Sequence, residues 1–416
     1  MPRHALTLPR FAHAASGRLL SARHARSLRH HELRRRLLTS AVGIVVFLVS
    51  SVGFAYSNLQ GNVGRHDIDE LVGTERPTRP DEGEETPEDP QAGQALNILV
   101  IGSDVRTEED AAEQGVTGMR GDATMIAHVS ADRSRVEVVS IPRDTLVDIP
   151  SCTLPDGTET GKRFDQRFNS AFAIGGSTGD VAHAAACTLK TVESLTGVYI
   201  DDFVVVDFAG FEAMVDALGG VPMYIPEPVD DERAHVVLEQ GCQVLDGDEA
   251  LGYARARYSF KDGSDISRIG RQQELVAAIV REALSKNLLT EMPALYRFLD
   301  ASTKTLTTGD WIGQLPNMAG LANSLRGIDP EGIRFATMPF EWAGPAVVPT
   351  AEAETVWENL RNDRPIDADI TGTGEEPTEE ATTEEPTTEE PTTEEPTTQQ
   401  PTETPSAEET TPVCTG

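Results

Sequence analysis

Positive charge is scarce in this chain of 416 residues. Its 35 lysines and arginines stand against 68 aspartates and glutamates, for a formal net charge of −33. Cysteine is scarce as well, with four in all. None of the four forms a C-x-x-C pair, which removes the usual ligand spacing of a structural zinc site. His128, His183 and His235 are scattered singly and form no ligand cluster. No helix-turn-helix pattern occurs in the short basic N-terminus, which argues against direct gene regulation. From Glu375 onward basic and aromatic residues are absent altogether, and a five-residue Glu-Glu-Pro-Thr-Thr repeat takes over. Such a segment cannot bury enough apolar surface to offset its ordering entropy, and its glutamates repel one another. Disorder is therefore expected over 371–416, within a low-complexity tail counted from 347. A second acidic, Pro-rich stretch at 74–94 reads as part of a linker over 57–94.

What is present settles the compartment. Residues 37–56, LLTSAVGIVVFLVSSVGFAY, form an uncharged and mostly apolar run. That is about the 20 residues a helix needs to cross a bilayer. Ahead of it lie Arg3, Arg10, Arg18, Arg23, Arg26, Arg29, Arg34, Arg35 and Arg36, with Glu32 as the sole acid. The positive-inside rule keeps residues 1–36 in the cytoplasm and sends everything after Tyr56 outside. A cleaved signal peptide is the competing reading. It fits less well, because the head is long, the run is full-length and Ala55-Tyr56-Ser57 is a poor cleavage site. The expectation is a single-pass protein of the cell membrane with an exported domain over 95–346. Oxidation is permitted there, and Cys152 and Cys187 are the preferred bridge: both fall in the folded domain, one just after a strand and the other inside a helix. The partner of Cys242 stays open.

Along 95–346 strand and helix patterns alternate, which predicts an α/β fold with a mixed central sheet flanked by helices. Strands are expected at 95–101, 123–130, 135–142, 203–208 and 221–226, the second and third as an antiparallel hairpin. Helices are expected over 180–196, capped by Asp180 and stopped by Gly197, over 210–218, and from about Asp265 onward. Charged residues gather at the ends of these elements. Asp104 closes the first strand. Arg120 and Asp122 precede the second. Arg143 and Asp144 follow Pro142 at the exit of the third, and Arg268 and Arg271 share one face of the last helix. Strand exits and helix starts are where α/β folds collect their chemistry. Taken alone, Arg255 and Arg257 also fit a solvated element end, and Asp265 also fits a helix N-cap.

The motifs NILVIGSD, MRGDATMI, SIPRDT, FNSAFAIGG, TVESLTGVYIDDFVVVDFAGF, LGGV, LDGDEALGYARAR and DISRIGRQQ occur in the order and rough spacing of the LytR-CpsA-Psr family of bacterial envelope proteins, which residues 95–345 resemble. The resemblance implies a phosphotransferase that moves a cell-wall glycopolymer from a polyprenyl-pyrophosphate carrier to peptidoglycan through a phosphodiester. It assigns Arg120, Arg143, Arg255, Arg257, Arg268 and Arg271, helped by Gln272 and Asn169, to the pyrophosphate. Asp104 and Asp122 become magnesium ligands, and Asp265 becomes the acceptor of the attacking hydroxyl's proton, with Arg143 and Asp144 beside the reaction. The implied partners are the lipid-linked glycopolymer, the peptidoglycan acceptor and membrane lipid, with no nucleic acid. A polyprenyl chain calls for a long apolar pocket beside the arginines, expected from the helices around 170–195 and 205–220 and from the sheet. Two other functions keep the same motifs: a membrane-bound polyprenyl-phosphate sensor that transfers nothing, and a pyrophosphatase with water as acceptor.

Overall fold

The computed structural model describes residues 18–79, 93–104, 119–257, 265–285, 292–328, 332–366 and Cys414. The expected disordered stretch, apart from Cys414, and residues 80–92 of the expected linker lie outside the described residues. Two units divide the chain, Met1–Asn58 and Leu59–Gly416. The first is helical, built on α1 (Arg18–Asn62), whose end runs on into the second. Within α1, Arg34–Asn62 holds an 18-residue stretch of mean hydropathy 2.2 and is, among the described residues, the one helix segment long and apolar enough to cross a bilayer. Leu37, Val46, Phe47 and Phe54 on it are exposed.

In the second unit the order begins β1 (Gly64–His66), α2 (Ile68–Val72), β2 (Leu96–Ser103), β3 (Gly121–Val129), β4 (Val136–Ser140), β5 (Leu146–Ile149), β6 (Arg163–Arg167), α3 (Ser170–Gly175), α4 (Val181–Thr196) and β7 (Asp202–Asp207). It continues with α5 (Phe208–Leu218), β8 (Val221–Ile225), β9 (Val229–Asp231), β10 (Val236–Leu238), β11 (Gly241–Leu245), α6 (Gly247–Arg255), α7 (Asp265–Ser285) and α8 (Met292–Thr303). The last elements are β12 (Leu306–Gly309), α9 (Leu315–Leu325), β13 (Ile333–Thr337), β14 (Phe340–Ala343), β15 (Ala346–Pro349) and α10 (Ala351–Arg361). Seven strands make one mixed sheet in the order β1-β12-β7-β2-β3-β4-β13. β7 runs parallel to β2, while β2, β3 and β4 form an antiparallel meander.

Alternation along each strand divides the core into two sides. Leu99 and Ile101 of β2, Ile126 of β3, and Phe203 and Val205 of β7 point into one cluster, where α3, α4 and α10 supply Phe172, Leu189, Val192, Trp357 and Leu360. On the other face Leu96, Ile98 and Val129 pack with Leu321 of α9. Helix α4 begins as its sequence requires: the Asp180 side chain accepts from the His183 amide at 2.9 Å, and Gly197, at φ 64°, ends it in the left-handed region. Gly175 of α3 allows the closest approach of the two helices, since a Cβ there would lie 2.3 Å from the His183 carbonyl oxygen.

Two boundaries and one strand pairing differ from the sequence expectation. Part of the linker is folded. β1 adds to the edge of the sheet, and Arg76 lies buried against Glu193 of α4 at 2.8 Å. At the other end the domain runs past 346, because Ala353, Val356, Trp357 and Leu360 of α10 belong to the main core. Both segments carry enough charge and proline to look like spacers, yet each buries a few well-placed side chains. The third difference is β8, which pairs with β11 in a separate ribbon and takes no place in the central sheet.

Cys152 is bonded to Cys187, as expected from their placement. Cys242, on β11, is bonded to Cys414 near the chain's end, across 172 residues. A non-reduced proteolytic digest should therefore give two cross-linked peptide pairs, Cys152 with Cys187 and Cys242 with Cys414. A peptide joining Cys242 to any other cysteine would contradict the second bridge.

Candidate functional site

One edge of the central sheet gathers the charged ends of four elements. β2 leaves at Ser103-Asp104, and antiparallel β3 enters at the same edge through Arg120-Gly121-Asp122. The link is continuous, because the Asp104 carboxylate accepts from the Arg120 amide at 2.8 Å and the Asp104 amide donates to the Arg120 carbonyl at 3.2 Å. β4 is antiparallel to β3, so its exit places Arg143 here too. β7, parallel to β2, ends here at Asp207, level with Ser103.

Above this edge α5, α6 and α7 enclose a cavity of about 510 Å³ with the sheet. Asp104, Arg120, Asp122, Arg143, Arg255, Arg257, Arg268 and Gln272 line it. Eight of the twelve site residues named from the sequence thus meet in one place. Arg143 Nη1 lies 3.3 Å from Asp122 Oδ1, and Arg268 Nη2 donates to the Asp122 carbonyl at 3.3 Å. The Arg255 guanidinium sits 4.8 Å from the centre of the Phe208 ring, a cation–π contact that fixes its plane. Gln272 Nε2 donates to the Ala254 carbonyl at 3.3 Å.

Away from the edge the lining turns apolar. The sheet contributes Val100, Ala123, Met125 and Val206, α5 contributes Phe208, Phe211 and Met214, and α7 contributes Leu275, Val276 and Ile279. At 1.5 Å per residue, Ile279 lies about 16 Å along α7 from Arg268. The chamber is therefore cationic at the sheet edge and oily beyond it. Such a division suits an amphiphile with an anionic head.

Of the other four expected residues, three fall elsewhere. Asp144 lies outside the lining, with Oδ2 3.4 Å from Arg143 Nε and Oδ1 2.7 Å from Arg167 Nη1. It can set the orientation of Arg143. Asn169 meets Arg143 through the backbone, its amide donating to the Arg143 carbonyl at 3.0 Å. Arg271 is buried and outside the lining, donating to the Ala256 carbonyl and, at 3.3 Å, to Ser267 Oγ, both groups of the framework. Asp265 opens α7, and its side chain lies outside the described residues. The expected wall is corrected in one part: α3 and α4 cover the opposite face of the sheet, and α6 and α7 take their place.

Asp207 was missed. It lines the cavity, caps α5 by accepting from the Gly210 amide at 2.7 Å, and burial raises its pKa above the ordinary carboxylate value. The signal was available, since FVVVD ends in an acid at a strand exit just as NILVIGSD does.

Together these features define a class of mixed α/β domain with a cation-mouthed, apolar chamber where the central strands end. The chain belongs to the LytR_cpsA_psr family, whose model matches residues 57–362. Those limits agree with the folded extent just described and exceed 95–346 at both ends. The chain is 30% identical over 278 residues to the probable cell wall biosynthesis protein LcpB of Corynebacterium glutamicum, covering 64% of this chain and 61% of that protein. It is also 30% identical over 260 residues to the polyisoprenyl-teichoic acid–peptidoglycan teichoic acid transferase TagT of Bacillus subtilis, covering 60% and 70%. Among solved structures, protein gbs0355 of Streptococcus agalactiae shares the fold at a TM-score of 0.50 and 20% identity, over 67% of this chain and 92% of that one. The match spans 61% of LcpB, about three fifths of its length.

Proposed function

We propose that this protein transfers a cell-wall glycopolymer from a polyprenyl-pyrophosphate carrier to peptidoglycan. The observation that carries the reading is the chamber itself, which sets five arginines against a long apolar wall. The pyrophosphate lies among Arg120, Arg143, Arg255, Arg257 and Arg268 with Gln272, and the prenyl chain runs along Phe211, Met214, Val276 and Ile279. Guanidinium groups suit this head because their planar forks pair with phosphate oxygens and keep their charge at every physiological pH. An acceptor hydroxyl of peptidoglycan attacks the phosphorus that carries the sugar. The bond from that phosphorus to the bridging oxygen breaks, and polyprenyl phosphate leaves. The new bond is a phosphodiester, and the hydroxyl proton passes to a carboxylate, for which Asp265 is the proposed acceptor. Such a reaction asks mainly for positioning and for stabilisation of negative charge. The family name of TagT supports the reaction class, as does the cell-wall role in the name of LcpB.

A magnesium ion fits the residues present. Among the described residues no three His, Cys, Asp or Glu side chains gather as a metal cluster. Asp104 and Asp122 instead offer two carboxylates in one cavity, which is the way magnesium is held when phosphates and water complete its shell. Bound there, it would offset pyrophosphate charge. The topology we propose has residues 1–36 inside the cell and the domain outside, with α1 as the anchor.

The test is to incubate the purified protein with lipid-linked glycopolymer and peptidoglycan and to follow polyprenyl phosphate by mass spectrometry. Release coupled to glycopolymer on the wall is the expected result. Release without attachment would favour a pyrophosphatase, and binding without release a sensor. Asp122→Asn should still bind lipid while turnover falls and the magnesium requirement rises, because the amide keeps the shape and loses the charge. Parental turnover at every magnesium concentration would remove Asp122 from the metal site.

A further inference from the structure

Helix α7 has a second working face. On the side turned from the pyrophosphate chamber, it borders an open cavity of about 410 Å³, bordered also by β8 of the ribbon, by Phe335 of β13 and by Cys414. Gly270, Gln273, Glu274 and Arg281 of α7 line it together with Tyr224 and Phe335. Gly270 is the informative residue. It lies well inside a 21-residue helix, where glycine is disfavoured relative to alanine. Gly270 is exposed, and among the described residues no neighbour demands it, because a Cβ built there meets nothing within 4 Å. A bare helix backbone facing a cavity, with no protein atom pressing on it, is the arrangement that lets a ligand approach closely.

The chemistry around that bare patch is uncharged overall. Glu274 and Arg281 balance, in contrast to the arginine-rich first chamber. Gln273 is fixed by its own donor: Nε2 donates to Ser140 Oγ and to the Ala336 carbonyl, both at 2.9 Å, and to Thr337 Oγ1 at 3.3 Å. That leaves the amide oxygen as its group for a ligand. Two aromatic rings, one carboxylate, one amide oxygen and one guanidinium are what a sugar ring needs: apolar faces to stack on and fixed partners for its hydroxyls.

We infer that this second cavity binds a neutral saccharide unit of the polymers the protein handles. The inference rests on the proposed transfer function for the identity of the sugar, and on the cavity alone for its existence. Soluble glycan strands of peptidoglycan and the phosphate-free glycopolymer share this chemistry, and both serve as probes. Titration calorimetry of the full-length protein in detergent micelles should show saturable binding of one of them. Gly270→Leu should weaken that binding at least tenfold while melting no lower than the parent and leaving polyprenyl-pyrophosphate binding unchanged. Tyr224→Ala, on a different element, should weaken it as well. Saccharide binding without any transfer would sustain this site and defeat the transferase reading. Transfer with no saccharide binding by the parent, or undiminished binding in both variants, would overturn the site.

Discussion

Arg255→Ala should lower turnover about ten- to a hundredfold with little change in melting temperature. Arg255 closes α6 and lines the chamber with its guanidinium over Phe208 of α5, so its charge faces the cavity and its packing contact is one cation–π pair at the chamber wall. Losing one charge-assisted contact to phosphate removes roughly 1.5–3 kcal/mol, and each 1.4 kcal/mol is about a factor of ten in rate. Lysine at the same position should restore only part of the loss, because a point charge reproduces neither the fork nor the stacking on Phe208. Arg271→Ala supplies the contrast. That side chain is buried against the Ala256 carbonyl and Ser267, so its loss should appear first as a lower melting temperature. Polyprenyl phosphate release and thermal melts of the two variants decide the matter. If Arg255→Ala turns over at the parental rate, the guanidinium does not grip the pyrophosphate.

Much of this site was legible because its signals are local. Asp104 and Arg143 sit at strand exits and Asp122 at a strand start, which alternating apolar residues make visible, and Pro142 marks where β4 must stop. Their convergence is less local. It follows from an antiparallel meander that returns the start of β3 and the end of β4 to the edge where β2 leaves. The helical wall was misplaced for a related reason. An apolar helix face such as that of α4 shows that the helix is buried, and periodicity carries no sign for which side of the sheet it covers. Arg271 shows the limit of reading charge alone. It stands three residues from Arg268 on one helix and one residue from Gln272, yet the turn of the helix sends it into the framework while both neighbours reach the cavity. Cys242 found its partner beyond a long acidic segment, a pairing that local pattern cannot supply.

Arg76→Ala should cost about 3–5 kcal/mol of stability, the usual loss when one member of a buried ion pair is removed. The guanidinium and the Glu193 carboxylate are 6% and 3% exposed, with Nη2 to Oε1 at 2.8 Å and Nε 3.2 Å from both oxygens. Burial opposes the charged arginine, but the hydrogen bonds and charge of Glu193 outweigh it, and its pKa is raised. Nη1 also donates to Tyr199 Oη at 3.1 Å. Removing Arg76 leaves the buried Glu193 carboxylate, among the described residues, with the Ile200 amide at 3.0 Å as its remaining donor. Glu193→Gln should be milder, since an amide oxygen can still accept from Ile200 and from the arginine. At about 2–4 °C per kcal/mol for a domain of this size, Arg76→Ala should melt on the order of 10 °C below the parent. The same pair predicts the fate of a chain cut to begin at residue 95, where a reading from composition would place the domain's start. Such a chain lacks Arg76 and β1, and it should melt lower still or aggregate on expression, whereas a chain beginning at 57 should fold. Calorimetry on the two truncations and the two point variants measures this directly. Equal melting temperatures for the chains beginning at 57 and 95 would return that segment to the role of a spacer.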